Sequence, residues 1–188
     1  MANICDFSMF VIGEKDNIEK LYGALNQEGN IWIGRGVADA DILIEVYSNQ
    51  HHSAVINGWC KWSVQSALID NAISMRSDNR RWYFGDVDVS KLEFITLREA
   101  SEKWNLVIEV YSAEDGIGFQ EHYVFDNGVV VADECVDWRA GWDISDYDSR
   151  RDFEEENDIE ITDEEWEDRY IQGYGGFGEW EFGLWMGW

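Results

Sequence analysis

The chain has no proline and only three cysteines in its 188 residues. The absence of proline excludes a proline-rich linker and a polyproline ligand of the kind that SH3 domains bind. Cys5, Cys60 and Cys135 are odd in number and form no Cys-x-x-Cys pair, which argues against a disulfide framework and against a zinc site. This cysteine usage is typical of a reducing cytosol, so we expect a cytoplasmic protein.

Basic residues are also scarce. Fourteen Lys and Arg stand against 39 Asp and Glu, which gives a formal net charge of −25. A protein that binds nucleic acid directly needs Lys and Arg to neutralise phosphates, so the composition excludes that class. The same charge disfavours anionic membrane surfaces. It favours a basic protein partner, with fast association that weakens as salt rises.

Long apolar runs are missing as well. No stretch approaches the roughly 18 apolar residues that a membrane span needs. Residues 1–6 contain no basic segment leading into an apolar run, so we expect no signal peptide.

Hydrophobic residues make up 45% of the chain and include 11 Trp, enough for the core of one compact domain. Apolar positions within 18–25 recur at i, i+3, i+4 and i+7, the spacing of one helix face. Thr96 and Glu99 match a capping box and predict a helix over 97–104. Asn127-Gly128 predicts a type I′ hairpin. A short helix is predicted near 66–75. The predicted strands cover 7–12, 31–33, 42–47, 55–56, 59–64, 82–84, 106–111, 119–125 and 129–132. This order favours an α+β fold, with helices on one face of a mainly antiparallel sheet.

Residues 133–168 contain 17 acidic residues and only three arginines. Blocks of like charge are mostly solvated, and a disordered acidic tail lacks bulky apolar residues. This block contains Trp138, Trp142, Ile144, Tyr147, Phe153, Ile159, Ile161 and Trp166. Ser149 can cap a helix over 150–156, while Thr162 and Glu165 form a capping box for a helix from 163 to about 172, stopped by Gly173. The block is therefore predicted to be folded, with its carboxylates held outward.

The aromatic tail, residues 173–188, is rich in glycine and aromatic residues and has few charges. Trp180, Phe182 and Leu184 alternate, which predicts a strand added to the sheet edge. The alternative is an exposed aromatic patch through which the chain forms homo-oligomers or docks a partner.

Several short motifs resemble a known family. They are Asn3-Ile4-Cys5, the run Gly-Trp-Cys-Lys-Trp-Ser-Val at 58–64, Gly-Ile-Gly-Phe at 116–119, and Asn127-Gly128 after Phe125. Together they resemble the YubB-type ferredoxin-like proteins of phages and plasmids, over about residues 1–135. That family usually opens Asn-Trp-Cys with a second Asn following, where this chain has Ile4 and Phe7. The resemblance implies a ferredoxin-like α+β domain at 1–135 in a mobile element of a bacterial cell, and it transfers no catalytic residues. The acidic extension, 136–188, lies outside it and is expected to pack on the same unit.

Enzymatic chemistry finds weak support in the residues. His51, His52 and His122 lack zinc-type spacing, and Asp86 and Asp88 do not follow a calcium-binding loop. Cys60 is interpreted as a buried thiol. Paired carboxylates carry little information in a chain with 39 acids. We therefore expect no cofactor, no metal and no catalysis. A small hydrolase or metal-dependent enzyme remains the alternative, as does an acidic oligomeric scaffold or a soluble protein with no mimic role.

The charge itself suggests the function. Carboxylates three or four residues apart on a helix lie about 5–6 Å from each other, and a folded array of them resembles the charged rod of DNA. We therefore expect an anti-defence protein of the anti-CRISPR or antirestriction type. It would mimic DNA and block the basic nucleic-acid channel of a host effector. The predicted partner-binding residues are Asp143, Asp146, Asp148, Asp152, Glu154, Glu155, Glu156, Asp158, Asp163, Glu164, Glu165, Glu167 and Asp168.

Overall fold

A seven-stranded antiparallel sheet organises the computed structural model, which describes residues 4–34, 42–49, 51–70, 88–114, 118–157 and 159–183. Its strands are β1 (Ile4–Gly13), β3 (Ile42–Val46), β4 (His52–Lys61), β6 (Val107–Glu114), β7 (Phe119–Asp126), β8 (Val129–Arg139) and β11 (Tyr174–Gly175). Their order across the sheet is β11-β8-β7-β6-β1-β4-β3. The predicted α+β class and antiparallel sheet are confirmed.

Two amphipathic helices cover one face of this sheet, which we call the helix face. Helix α1 (Lys15–Leu25) and helix α2 (Leu97–Trp104) bury their apolar sides against β1, β4, β6 and β7. Alternate residues of β1, including Phe7, Met9 and Val11, point into this core because side chains alternate along a strand. The predicted placement of helices on one face is confirmed for these two.

Local capping signals set the ends of several elements. The Thr96 hydroxyl accepts from the Glu99 amide at 3.0 Å, and the Glu99 carboxylate accepts from the Thr96 amide at 2.8 Å, so the predicted capping box opens α2. Asn127 and Gly128 have φ of 48° and 79°, the positive values that a type I′ turn needs. The predicted hairpin therefore joins β7 and β8.

A buried carboxylate anchors the segment that follows β4. The Val64 and Gln65 amides donate to Glu121 of β7 at 2.7 and 3.2 Å, and the Ser112 hydroxyl donates to it at 2.8 Å. A π-helical turn over Gln65–Asp70 begins there. It replaces the first part of the helix predicted near 66–75; residues 71–75 and the strand predicted at 82–84 lie outside the described residues.

Smaller elements complete the first part of the chain. β2 (Ile31–Ile33) and β5 (Glu93–Ile95) form a separate parallel pair beside the main sheet. A 3₁₀ turn, Val89–Lys91, precedes β5. The strands predicted at 55–56 and 59–64 form one continuous strand, β4, which ends at Lys61.

The strand predicted at 129–132 is longer than its apolar run. β8 continues to Arg139 because its pairing with β7 persists through Asp133, Cys135 and Asp137, past a bulge at Val124/Phe125. The acidic side chains of its second half belong to a strand, and β8 runs across the predicted boundary between residues 135 and 136.

The chain then forms a compact acidic unit, residues 142–171. It contains β9 (Trp142–Asp143), α3 (Arg150–Asn157), α4 (Asp163–Asp168) and β10 (Tyr170–Ile171), and β9 pairs with β10. Helix α4 is shorter than predicted, because Arg169 takes the left-handed conformation at φ 56° and the chain turns into β10. The buried side chain of Ile171 then fills the core of the unit.

The aromatic tail begins at the sheet edge. β11 pairs with β8 at Trp138 and Arg139, as a strand added to that edge. The strand predicted over Trp180–Phe182 is wrong: there the tail makes bends and turns while it crosses the face opposite the helices, which we call the tail face. Leu184, the third residue of that predicted strand, lies outside the described residues.

No helix among the described segments is long and apolar enough to cross a membrane.

Candidate functional site: the acidic unit

A small apolar core holds the acidic unit together. Ile144, Phe153, Ile161 and Ile171 are buried, and Tyr147, Ile159 and Trp166 pack against them. Phe153 is fully buried and meets the rings of Tyr147 and Trp142 edge to face, with centroids 4.8 and 5.5 Å away. The interleaved apolar residues thus give the acidic block a folded scaffold, as the sequence indicated.

Arg150 joins the two helices of the unit. Its guanidinium binds Glu154 on the same helix at 2.8 Å, binds Asp163 of α4 at 2.6 Å, and donates to the Ile161 carbonyl oxygen. Hydrogen bonds from Arg150 and from the Ile161 amide lower the pKa of Glu154. Glu154 and Asp163 therefore have a structural role, since they position α4 against α3 through Arg150.

The helix ends use further polar groups. The Asp152 amide donates to the Ser149 hydroxyl at 3.1 Å, so Ser149 caps α3. The Thr162 and Glu165 capping box opens α4, with the Thr162 amide 2.8 Å from the Glu165 carboxylate. That bond and the bond from the Thr162 hydroxyl lower the pKa of Glu165. The capping predicted at both helices is confirmed.

The two other arginines of the unit are also engaged within it. Arg151 pairs with Glu155 at 2.6 Å. The Arg169 guanidinium lies over the Trp166 ring, 3.8 Å from its centroid, and donates to the Tyr147 carbonyl oxygen at 3.0 Å. The positive charges of the unit therefore serve its own fold.

Eight carboxylates of the unit are exposed and form no ion pair within the part of the chain that the structure describes. We call them the unpaired carboxylates. They are Asp146, Asp148, Asp152, Glu156, Glu160, Glu164, Glu167 and Asp168. Asp152 and Glu156 stand four residues apart on α3, and Glu164 stands three and four residues before Glu167 and Asp168 on α4. Each set therefore shares one side of its helix.

The predicted partner-binding residues separate into groups. Seven of them are unpaired carboxylates, and the eighth unpaired carboxylate, Glu160, was left out of the prediction. Glu154, Glu155 and Asp163 pair with arginine, and Glu165 caps α4. Asp143 is exposed but accepts from the Ser145 amide at 2.8 Å, and its bonds to Ser145 lower its pKa. Asp158 lies outside the described residues.

A second polar cluster, on the tail face, was missed by the sequence analysis. His122 of β7 lies between Glu109 of β6 and Glu134 of β8, with its Nε2 3.0 Å from Glu109 Oε1 and its Nδ1 3.2 Å from Glu134 Oε2. The signal was an acidic residue, Glu109, inside an otherwise apolar predicted strand. The partners are distant in sequence, so the cluster becomes visible only in the register of three strands.

The other histidines lie away from this cluster. His51 is in the turn before β4, where it contacts Ser48, and His52 begins β4. Among the described residues, no group of three or more His, Cys, Asp or Glu side chains has an arrangement that would hold a metal ion.

Comparison of the chain with protein-family models, with curated proteins and with solved structures finds no match.

Proposed function

We propose that the protein is an anti-defence protein of a phage or other mobile element, which mimics DNA. It binds the basic nucleic-acid channel of a bacterial effector, such as a CRISPR complex or a restriction nuclease. There it blocks access sterically, without catalysis. The observation that carries this proposal is the set of unpaired carboxylates on a scaffold whose own arginines are all used internally.

Rigid placement is what makes these carboxylates suitable as a decoy. A disordered acidic segment loses conformational entropy when it binds, whereas charges on a folded unit have already paid that cost. Among the described residues these carboxylates form no ion pair, so their negative potential is available to a partner. Complementary potential of this kind raises the association rate and selects basic partners.

The connectivity of the main sheet supports a ferredoxin-like domain as part of the proposal. β1, α1, β3, β4, α2 and β6 follow the β-α-β-β-α-β sequence of that topology, and their strands lie in the order β6-β1-β4-β3. This agrees with the resemblance to the YubB-type proteins of phages and plasmids. Mobile elements benefit from blocking host nucleases, which favours an anti-defence role over a purely solubilising one.

Charge reversal at four sites tests the proposal. The variant carries Glu156→Lys, Glu160→Lys, Glu167→Lys and Asp168→Lys. These positions avoid the first turns of α3 and α4, where acids favour the helix dipole, and the carboxylates that pair with arginine. The control has the same charge change on exposed acids of the first domain: Asp6→Lys, Glu28→Lys, Glu45→Lys and Glu102→Lys.

The measurement is capture of proteins from a nuclease-treated bacterial lysate, followed by competition with duplex DNA. We expect the wild-type chain and the control to retain a basic nucleic-acid-binding protein that DNA displaces and that elutes as salt rises. The acidic-unit variant should lose it, because many weak contacts act together. Equal loss of the partner in both variants would indicate that net charge alone, and not the acidic unit, causes binding. Retention by the acidic-unit variant, or a partner insensitive to DNA and salt, would contradict mimicry.

A further inference from the structure

The aromatic tail is held on the tail face by two side chains that accept hydrogen bonds from its backbone. The Phe177 amide donates to Gln120 Oε1 at 2.9 Å, and the Gly183 amide donates to Glu109 Oε2 at 2.6 Å. Gln120 is 5% exposed and Glu109 is 1% exposed, so both acceptors are closed off from water. The tail therefore contacts the sheet as a bound peptide would, through main-chain bonds to buried side chains.

Aromatic rings fill the space between these two anchors. Tyr111 stacks on His122, with ring centroids 4.1 Å apart, and on Trp180 of the tail at 5.7 Å. Phe182 meets Tyr111 at 5.5 Å and Phe10 at 5.8 Å. The tail thus joins β7, β6 and β1 through one continuous aromatic cluster, and His122 belongs to that cluster.

The two glutamates around His122 fix how many protons the cluster needs. An ionised carboxylate only accepts hydrogen bonds, and a neutral imidazole has one N–H, which leaves its other nitrogen an acceptor. Both nitrogens of His122 lie within hydrogen-bond distance of a carboxylate. With both glutamates ionised, the contacts are satisfied only when His122 carries two N–H groups and a positive charge.

The same charge supports the anchor of the tail. Glu109 uses one oxygen for His122 and the other for the Gly183 amide. A buried carboxylate without a compensating cation is costly, so neutral His122 would leave Glu109 poorly satisfied. Water could hydrate the Glu109 carboxylate and remove this cost, and water can reach Glu109 when the tail leaves.

We propose that His122 and Glu109 form a pH-sensitive clasp: protonated His122 keeps the tail docked on the sheet, and its deprotonation releases the tail from the tail face. This device is independent of the acidic unit. The clasp would control access to an aromatic surface centred on Tyr111 and Phe10.

The direction of the pH dependence follows from the groups that face His122. Burial by itself lowers the pKa of His122, but hydrogen bonds and charge from Glu109 and Glu134 outweigh it and raise the pKa above its usual value. Tyr111, the titratable group stacked on the ring, has its pKa raised by burial and by Glu109, Glu134 and Glu181, so it stays neutral in this range.

Glu109 and Glu134 belong to the sheet and stay beside His122 when the tail leaves, so the pH dependence comes from what docking adds. Docking excludes water from Glu109 and strengthens its pairing with charged His122, so the clasp places the docked-state pKa of His122 above the released-state pKa. The stabilisation of the docked tail is complete below the released-state pKa. It is lost as the pH rises through the docked-state pKa.

The test is an NMR titration of the full chain between about pH 5.5 and 9.5, which spans the ordinary pKa of histidine. It follows the His122 ring proton and the amide-exchange protection of Phe177 and Gly183, corrected for the intrinsic exchange rate. We expect the docking constant of the tail to fall by up to about tenfold per pH unit between the pKa values that His122 has with the tail released and with the tail docked. Amides at the sheet centre, such as Val11 and Ile56, should stay protected throughout.

Three variants sharpen the test. His122→Gln should remove the transition, and His51→Gln, a histidine in the turn before β4, should leave it unchanged. Glu134→Gln keeps the Glu109 contact and removes one of the two charges, so the transition should move to lower pH. This third variant changes a side chain that is 60% exposed and is expected to fold even if His122→Gln does not.

Two results would overturn the proposal. One is a His122 pKa at or below about 6.5 in the docked protein. The other is a tail whose Phe177 and Gly183 amides keep their protection at a pH above the measured His122 pKa.

Discussion

The main sheet and the acidic unit bury apolar side chains to very different extents. Among the described residues, the core on the helix face contains 24 buried residues, contributed by several strands and both helices. The core of the acidic unit contains four, all within residues 142–171. The unit compensates with two capped helices and one arginine that joins them. A short segment with 14 acids and three arginines can therefore fold when a few buried apolar residues are combined with many specific polar contacts.

The largest difference between the two regions should come from removing Phe153. Phe153→Ala deletes the largest fully buried side chain among the described residues, at a cost of about 3–5 kcal/mol. Because only three other buried residues support that core, we expect α3 and α4 to unfold locally while the main sheet persists. Amide hydrogen exchange measures both regions in one experiment.

Ile108→Ala is the matched change in the sheet core, at a cost of about 2–5 kcal/mol. It should lower the melting temperature of the sheet and leave amide protection in α3 and α4 unchanged below the transition. Full protection of those helices in Phe153→Ala would mean that the acidic unit depends on the sheet rather than on its own core.

A smaller effect is expected at the arginine that joins the helices. Arg150→Met removes the contacts to Glu154, Asp163 and the Ile161 carbonyl oxygen. We expect faster exchange in α4 with α3 still formed. Arg151→Met is the control, because Arg151 pairs with Glu155 on its own helix and its side chain is 82% exposed. If the two substitutions changed exchange in α4 equally, Arg150 would not be the residue that holds the two helices together.

The two capping boxes allow a direct comparison of the regions. Loss of a Thr N-cap typically costs about 1 kcal/mol, within a range of about 0.5–2 kcal/mol. Thr96 is buried at the start of α2, whereas Thr162 is exposed. Urea denaturation should place Thr96→Ala at the upper end of this range and reduce the stability of the whole sheet. Thr162→Ala should act at the lower end and be detected by exchange in α4 alone. A larger loss of stability in Thr162→Ala than in Thr96→Ala would show that burial of the capping residue does not set the cost of removing it.

Salt should produce the smallest difference. Raising NaCl from low concentration to about 0.3 M screens repulsion among the unpaired carboxylates, since the screening length falls below about 8 Å. We expect a small gain in exchange protection for α3 and α4 and no change for β1. A loss of protection would instead show that the arginine pairs stabilise the unit more than the repulsion destabilises it.

Local signals in the sequence predicted local structure well. Thr96 with Glu99, Thr162 with Glu165, Ser149, and Asn127-Gly128 each carry their partner within a few residues, so their caps and turns form as predicted. Much of the strand and helix pattern of residues 4–132 was readable for the same reason, because the periodicity of apolar residues is local.

The remaining features depend on contacts between distant residues. β8 continues into the acidic block because its partner β7 lies beside it, although acids such as Asp133 disfavour a strand. Nothing adjacent to Arg169 marks the end of α4, which is set by the pairing of β10 with β9. The contact between His122 and Glu109 requires the register of a hairpin, and the anchor from Gly183 to Glu109 spans most of the C-terminal half.

The central position of β1 has a consequence for how the chain folds as it is synthesised. Strand β1 has two neighbours in the sheet. One of them, β4, follows it within about fifty residues of chain. The other, β6, is much further along the chain, since Asp6 of β1 pairs with Ala113 of β6. Closing so long a loop costs entropy before any contact stabilises it, and pairings of this kind slow folding. During translation, β1 therefore waits with one edge unpaired until β6 has left the ribosome. The acidic unit, whose buried core and strand pair lie within thirty residues of chain, can form as soon as β10 emerges.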